Sequence, residues 1–196
     1  MSNAGVARRP ADEDAALAER AAAGDLDAFE QLVSRHQAVV ARVAWRLVGS
    51  DDAEDVSQDA FLRAFHRLPT FRGQSTFRSW LLRIAHNAAL DHLRRRRPDP
   101  VDPSALESSQ QPEEPRPPAE RLEVRERIER LERKLRGLSP AHRTVLVLRD
   151  VEGLSYEEIA GVTDWPLGSV KGRLHRARRE FIDMLRANTY DWELPG

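Results

Sequence analysis

The chemistry legible in this 196-residue sequence lies in charged and aromatic side chains, not in nucleophiles or metal ligands. Between Leu167 and Arg179 no acidic residue occurs. Wound as a helix, that segment turns Val170, Leu174, Ala177 and Phe181 to one side and Lys171, Arg173, His175, Arg176, Arg178 and Arg179 to the other. A helix with a wholly cationic outer face suits the phosphate-lined major groove of duplex DNA. Ser169 lies near its N-terminus, the end that reaches base edges or phosphates first. A solvated basic helix would carry the same charges, but the short helix and tight turn before it favour DNA.

A second basic stretch has a different texture. Phe71-Arg72-Gly73-Gln74-Ser75-Thr76-Phe77-Arg78-Ser79-Trp80 interleaves aromatic rings with arginines and small polar residues, a mixture that holds unstacked bases and their backbone. Arg83, Asn87, Asp91 and Arg94 follow at steps of four, four and three, one stripe of a helix ending in Arg94 to Arg97. Phe77 and Trp80 read as core, and the Arg/Asn stripe reads as a nucleic-acid contact. Just upstream the sign reverses, because Asp51, Asp52, Glu54, Asp55 and Asp59 fall within nine residues free of Lys and Arg. Asp55, Gln58, Asp59 and Leu62 share a helix face opposite Ala53, Ala60 and Ala64. An exposed Leu62 ringed by acids fits a protein docking face, and the same acids equally fit an ordinary helix start that suits the macrodipole. Enzyme chemistry has no support. The six histidines show no metal spacing, no nucleophile–base set or Gly-rich phosphate loop occurs, and the absence of cysteine removes thiol chemistry, disulfides and Cys-ligated metals. No cofactor and no metal are expected.

The elements that must position these residues are helices. From Leu26 the apolar residues Phe29, Leu32, Val33, Val39, Val40, Val43, Ala44 and Leu47 recur at helical spacing up to Gly49. Asp51 or Asp52 is predicted to cap a second helix running to about Leu68, and a third is predicted from about Thr76 to Arg96, stopped by Pro98. Seven of the 12 prolines lie between Pro98 and Pro118, among Asp99, Asp102, Glu107, Glu113 and Glu114, which predicts a flexible acidic Pro-rich linker over 98–119. Glu120 to Leu135 then reads as a charged amphipathic helix closed by Gly137. Ser139-Pro140 is a cap followed by a first-turn proline. Helices are predicted near Ala141–Asp150, Ser155–Gly161 and Pro166–Met184, with Ser155 and Glu158 forming a capping box. The turn at Thr163-Asp164-Trp165 makes the last two a helix-turn-helix. The fold class is therefore all-α, with two small helical domains, 14–97 and 120–187. The net charge of −1 excludes a uniformly basic coat, and no apolar run approaches the roughly 20 residues of a membrane span. A cytoplasmic protein without membrane insertion is expected.

Together these segments carry a family resemblance. Gly24-Asp25-x-x-Ala28-Phe29-Glu30, Asp52-Ala53-Glu54-Asp55-Val56-Ser57-Gln58-Asp59-Ala60-Phe61, Phe71-Arg72-Gly73 and Trp80-Leu81-x-Arg83-Ile84-Ala85-x-Asn87 come first. Leu138-Ser139-Pro140, Gly153-Leu154-Ser155-Tyr156-x-Glu158-Ile159-Ala160 and Gly168-Ser169-Val170-Lys171-Gly172-Arg173 follow. The chain resembles a bacterial RNA polymerase sigma factor of the extracytoplasmic-function (ECF) group of the sigma-70 family. The resemblance implies regions 2 and 4 without regions 1.1 or 3. It implies core RNA polymerase as partner, with Asp52, Asp55, Gln58, Asp59 and Leu62 on the clamp helices of the largest subunit, and contact with the flap. It places Arg63, Arg67, Phe71, Ile84 and Asn87 around a pocket for a base flipped from the non-template strand of the −10 element, beside the stripe of Arg83, Asp91 and Arg94. It sets the 167–179 helix on −35 promoter DNA and implies an anti-sigma factor as a partner. Asp164 replaces a turn glycine common among relatives, Gly172 replaces a common serine, and Trp165 is unusual. With no serine at 172, Lys171, Arg173 and Arg176 are expected to carry most of the direct readout, Arg176 foremost. The alternative is a two-domain helix-turn-helix regulator that acts without being a polymerase subunit.

Overall fold

The computed structural model describes residues 10–96 and 130–187. The predicted linker, residues 120–129 of the predicted charged helix and the tail from Asn188 lie outside them. Every regular element among the described residues is helical.

The first module comprises α1 (Pro10–Ala22), α2 (Leu26–Val48), α3 (Ser50–Arg67) and α4 (Phe77–Arg95), with a 3-10 turn at Leu68–Thr70. Asp25 starts α2 by accepting from the Ala28 backbone N–H at 3.0 Å. The face built from Leu32, Val39, Val40, Val43, Ala44 and Leu47 is buried along the helix. Gly49, with φ 98°, ends α2 and also precedes the first residue of α3. That left-handed backbone suits glycine and lets two helices abut without a loop. The predicted Asp51 or Asp52 cap is therefore corrected: both lie inside the first turn of α3, and Gly49 is the capping position without a side-chain bond. Val56, Ala60 and Ala64 face the core from α3. Thr76 caps α4 by accepting from the Ser79 N–H at 3.1 Å. The sequence reading did not anticipate α1. It packs Leu17, Ala18 and Ala21 inward, and its buried Asp14 meets His36 Nε2 of α2 at 2.8 Å.

The second module comprises α5 (described over 130–137), α6 (Pro140–Leu146), α7 (Tyr156–Thr163) and α8 (Leu167–Arg186). Ser139 accepts from the His142 N–H, and Pro140 occupies the first turn. The helix predicted to reach Asp150 widens into a π-turn over Val147–Val151, where the Glu152 N–H reaches back to the Val147 carbonyl at 3.0 Å. The Ser155–Glu158 capping box is complete, with both reciprocal bonds formed. Asp164 takes the left-handed conformation, φ 57°, as the turn requires. The two modules touch, with α7 lying against α4.

Candidate nucleic-acid interface

Helix α8 buries Val170, Leu174 and Ala177 and leaves Lys171, His175, Arg176, Arg178 and Arg179 exposed, with Ser169 half-buried at its start. Not all of its cations are free. The Arg173 guanidinium lies 4.3 Å from the Trp165 ring centroid, which makes it half-buried. Lys171 Nζ stands 5.7 Å from the Tyr156 ring. Arg178 holds Asp150 through two bonds, Nε at 3.0 Å and a second from Nη2. That pairing keeps the Arg178 pKa raised. Gly172 matters for its neighbour, because a Cβ there would stand 3.5 Å from Arg176 Nη1. The Arg176 guanidinium thus lies over the bare backbone of its own helix.

In the first module, Phe71 is half-buried in an aromatic cluster, 5.7 Å from Phe77 and 5.2 Å from Trp80 between ring centroids. Arg67 is exposed beside it and Asn87 is half-buried. Arg83 and Arg94 are exposed on the same stripe of α4, with Asp91 half-buried between them. Arg94 reaches Asp91 at 3.5 Å, and Arg83 Nη2 reaches Asp164 of the other module at 2.6 Å. Arg63 bonds both Asp59 and Asp91. Ile84 stands apart from the other seven, since it is 3% exposed and its side chain belongs to the core.

On α3, Leu62 is 62% exposed. Asp55 and Gln58 are exposed around it and Asp59 is half-buried, with Gln58 donating to Glu54 at 3.2 Å. Asp52 is turned to α4, where His92 Nε2 at 3.2 Å and Arg96 take its carboxylate. The sequence reading missed Phe65, one turn after Leu62. It is exposed and edge-on to Phe29 at 5.0 Å, extending the apolar strip. It also missed the carboxylates of Asp150, Glu152 and Asp164 as partners of basic residues. The available signal was only that Asp150 and Glu152 precede the helix-turn-helix and Asp164 sits in its turn, while its cations are in excess.

No group of three or more His, Cys, Asp or Glu among the described residues is arranged to hold a metal. No helix among them is long and apolar enough to cross a membrane. What this arrangement can do is bind: arginines and aromatic rings on α4 and α8 toward nucleic acid, carboxylates with an apolar strip on α3 toward a basic protein surface.

Fold and surfaces together define a two-module DNA-binding protein, all-helical among the described residues, with basic faces on α4 and α8 and a separate acidic face on α3. Residues 32–98 match the family described as Sigma-70 region 2, and residues 128–181 match Sigma-70, region 4. The ECF RNA polymerase sigma-E factor of Escherichia coli (strain K12) is 41% identical over 177 residues, covering 87% of this chain and 92% of that protein. The structure of CnrH in complex with the cytosolic domain of CnrY superposes with a TM-score of 0.68 at 34% identity, covering 90% of this chain and 99% of the other. Sigma factor RpoE from Bartonella quintana, solved with the anti-sigma factor NepR, is similar in fold at a TM-score of 0.61 and 22% identity, covering 81% and 96%. The chain belongs to the sigma-70 family, in its ECF group, and is a sigma factor that directs transcription.

Proposed function

We propose that this sigma factor binds core RNA polymerase through α3, recognises the melted −10 strand with α4 and the Phe71 loop, and recognises −35 duplex DNA with α8. Region 2 spans 14–97, with α1 extending it to Pro10, and region 4 spans 120–187. The observation that carries this reading is Leu62, an apolar side chain 62% exposed among Asp55, Gln58 and Asp59. Water is a poor solvent for it, and a basic protein surface with an apolar centre is a good one. Asp55, Gln58, Asp59 and Leu62 meet the clamp helices of the largest subunit, and Asp52 braces α3 from behind. Region 4 meets the flap. Arg63, Arg67, Phe71 and Asn87 surround the flipped −10 base, with Arg83, Asp91 and Arg94 along the strand, and Ile84 supports the pocket from the core side. Ser169, Lys171, Arg173, His175 and Arg176 face the −35 groove, and Arg178 and Arg179 face phosphates.

The chain is not an enzyme in this reading, since the polymerase performs the phosphoryl transfer. It acts in the cytoplasm and takes an anti-sigma factor as an inhibitory partner. Run-off transcription with purified core polymerase tests it: promoter-specific transcripts that need the added chain are expected. A protein that binds duplex operators yet gives core enzyme no promoter selectivity would be a helix-turn-helix regulator instead.

A further inference from the structure

Helix α1 carries a buried acid that the −10, −35 and docking surfaces do not use. Asp14 lies on the same inner face as Leu17 and Ala18. Its Oδ2 meets Nε2 of the equally buried His36 of α2 at 2.8 Å. Its Oδ1 accepts from Arg35 Nη1 at 3.2 Å, and the same nitrogen donates to Glu13 at 3.0 Å. Both oxygens of the Asp14 carboxylate are therefore held, and it cannot turn without losing a bond.

The imidazole held by Asp14 is in turn packed on the aromatic cluster. The His36 ring lies 5.4 Å from the Phe77 ring, tilted by 49°. Phe77, the first residue of α4, is buried and stands edge-on to Phe71 at 5.7 Å. A continuous run of contacts thus leads from the Asp14 carboxylate through His36 and Phe77 to Phe71. Helix α1 reaches the same residue by a second route. It packs against the 3-10 turn at Leu68–Thr70, whose Leu68 carbonyl accepts from the Phe71 N–H at 3.0 Å. The ring of Phe71 and its backbone are both supported by elements that α1 touches.

We propose that Asp14 and His36 are positioning residues for −10 recognition, which set the place of Phe71 through Phe77 without touching DNA themselves. The proposal deepens the functional reading above, in which Phe71 borders the flipped base, and rests on it. Stability alone does not call for this pair, because well-packed apolar residues in place of a buried ion pair are often neutral or stabilising. A hydrogen bond adds what an apolar contact lacks: it fixes the plane of the imidazole, as a fully satisfied buried polar network fixes one arrangement of a core. A ring of fixed plane gives Phe77 one resting place, and Phe77 gives Phe71 one. Binding sites of this kind need their contact groups held to within about 0.5 Å by neighbours whose own rotamers are locked.

The test uses the full chain with core polymerase and promoter libraries randomised across the −10 element, each variant assayed below its melting temperature. Asp14→Ala and His36→Gln should relax preference at the base that Phe71→Ala relaxes, by about fivefold, the lower end of what a lost stacking contact costs. Preference at the −35 element should stay as in the parent. The His36→Gln side chain keeps a nitrogen donor for Asp14 but loses the ring on Phe77, so its effect reports the ring. Asp14→Asn keeps an oxygen that accepts from His36 and should restore most of the preference. In the free chain, amide hydrogen exchange at Phe71 should quicken in Asp14→Ala and His36→Gln. Transcription lowered equally from every promoter would mean that only stability was lost, and overturns the proposal. So does an unchanged Phe71 exchange rate. A shift for Phe71→Ala without one for Asp14→Ala overturns the proposal and leaves the pocket reading standing. No shift for either Phe71→Ala or Asn87→Ala removes the pocket reading, and this proposal with it.

Discussion

Arg63 of α3 donates to Asp91 of α4 across 2.7 Å while the same guanidinium holds Asp59, one turn back, at 2.8 Å. One cation thus ties α3 to α4. The hydrogen bond from Arg63 holds the Asp91 carboxyl below its usual range. Asp91→Asn should release the guanidinium toward DNA phosphates. Holoenzyme affinity for a single −10 strand should rise a few-fold, and the salt slope should steepen by roughly 0.7 for one added contact. An unchanged slope in a salt titration would place Arg63 away from the strand.

Docking should depend on Leu62 and Asp55 without either holding the fold. The double variant Asp55→Arg, Leu62→Arg should melt within a degree or two of the parent, since exposed substitutions usually change stability by under about 0.5 kcal/mol. Its affinity for core polymerase should fall about tenfold or more, as expected when the anchor of an interface is lost. Pull-down and thermal melting of the same preparation check both halves.

At the −10 element, Asn87→Ala and Phe71→Ala should each relax discrimination at one base. Base–aromatic stacking is worth roughly 1–3 kcal/mol. Phe71 also packs on Phe77 and Trp80, so its removal should cost stability as well, whereas Asn87 is the cleaner probe. Transcription from libraries randomised across the −10 element reads the change, and an unaltered preference for both variants would move the pocket elsewhere.

On α8, Arg176 and Arg178 should behave differently. Arg176→Ala should flatten preference at one or two base pairs of the −35 site, a loss of about 1–3 kcal/mol in discrimination if the arginine pairs with guanine. Arg178→Ala or Arg179→Ala should weaken all sequences alike and lower the salt slope by roughly 0.9. Arg178 must first leave Asp150, so its effect should be the smaller of the two. Binding selection across randomised −35 duplexes distinguishes readout from phosphate contact, and a uniform loss for Arg176→Ala would reverse the assignment.

Acid should weaken the packing around His86. Burial pushes its pKa down from an ordinary value near 6.5 to about 4, with Asp164 opposing that shift and Arg94 adding to it. The Trp165 ring covers it from region 4, and Nδ1 has no hydrogen-bond partner. Between these values the unfolded chain binds the proton and the folded one does not. Stability from a neutral His86 is therefore complete above about pH 6.5 and is lost as pH falls toward 4, by up to roughly 3 kcal/mol. Denaturant melts at pH 7 and pH 5 should show a larger loss for the parent than for His86→Gln, and equal losses would remove His86 from this role.

What the sequence determined by itself is local. Asp25, Thr76, Ser139 and Ser155 each satisfy a backbone N–H three residues ahead, so their caps were legible or lay in legible patterns, and the inward Val170, Leu174 and Ala177 follow from a 3.6-residue period. Charge sorting along the chain marked α3, α4 and α8 for the same reason. Helix α1 escaped because few large apolar residues mark its inner face, and the shared Gly49 made the aspartates that follow look like caps. The period of α4 put Ile84 on the apolar side with Phe77, Leu81 and Ala88, and it is buried there, whereas its place beside a base pocket came from the family resemblance alone. Only tertiary structure decided the partners of Arg83, 81 positions from Asp164, and of Arg42, 110 positions from Glu152. No local period carries a contact at that separation. It exists because α4 packs against α7 and the π-turn reaches α2, and burial of the Glu152 carboxylate then favours the arginines that meet it.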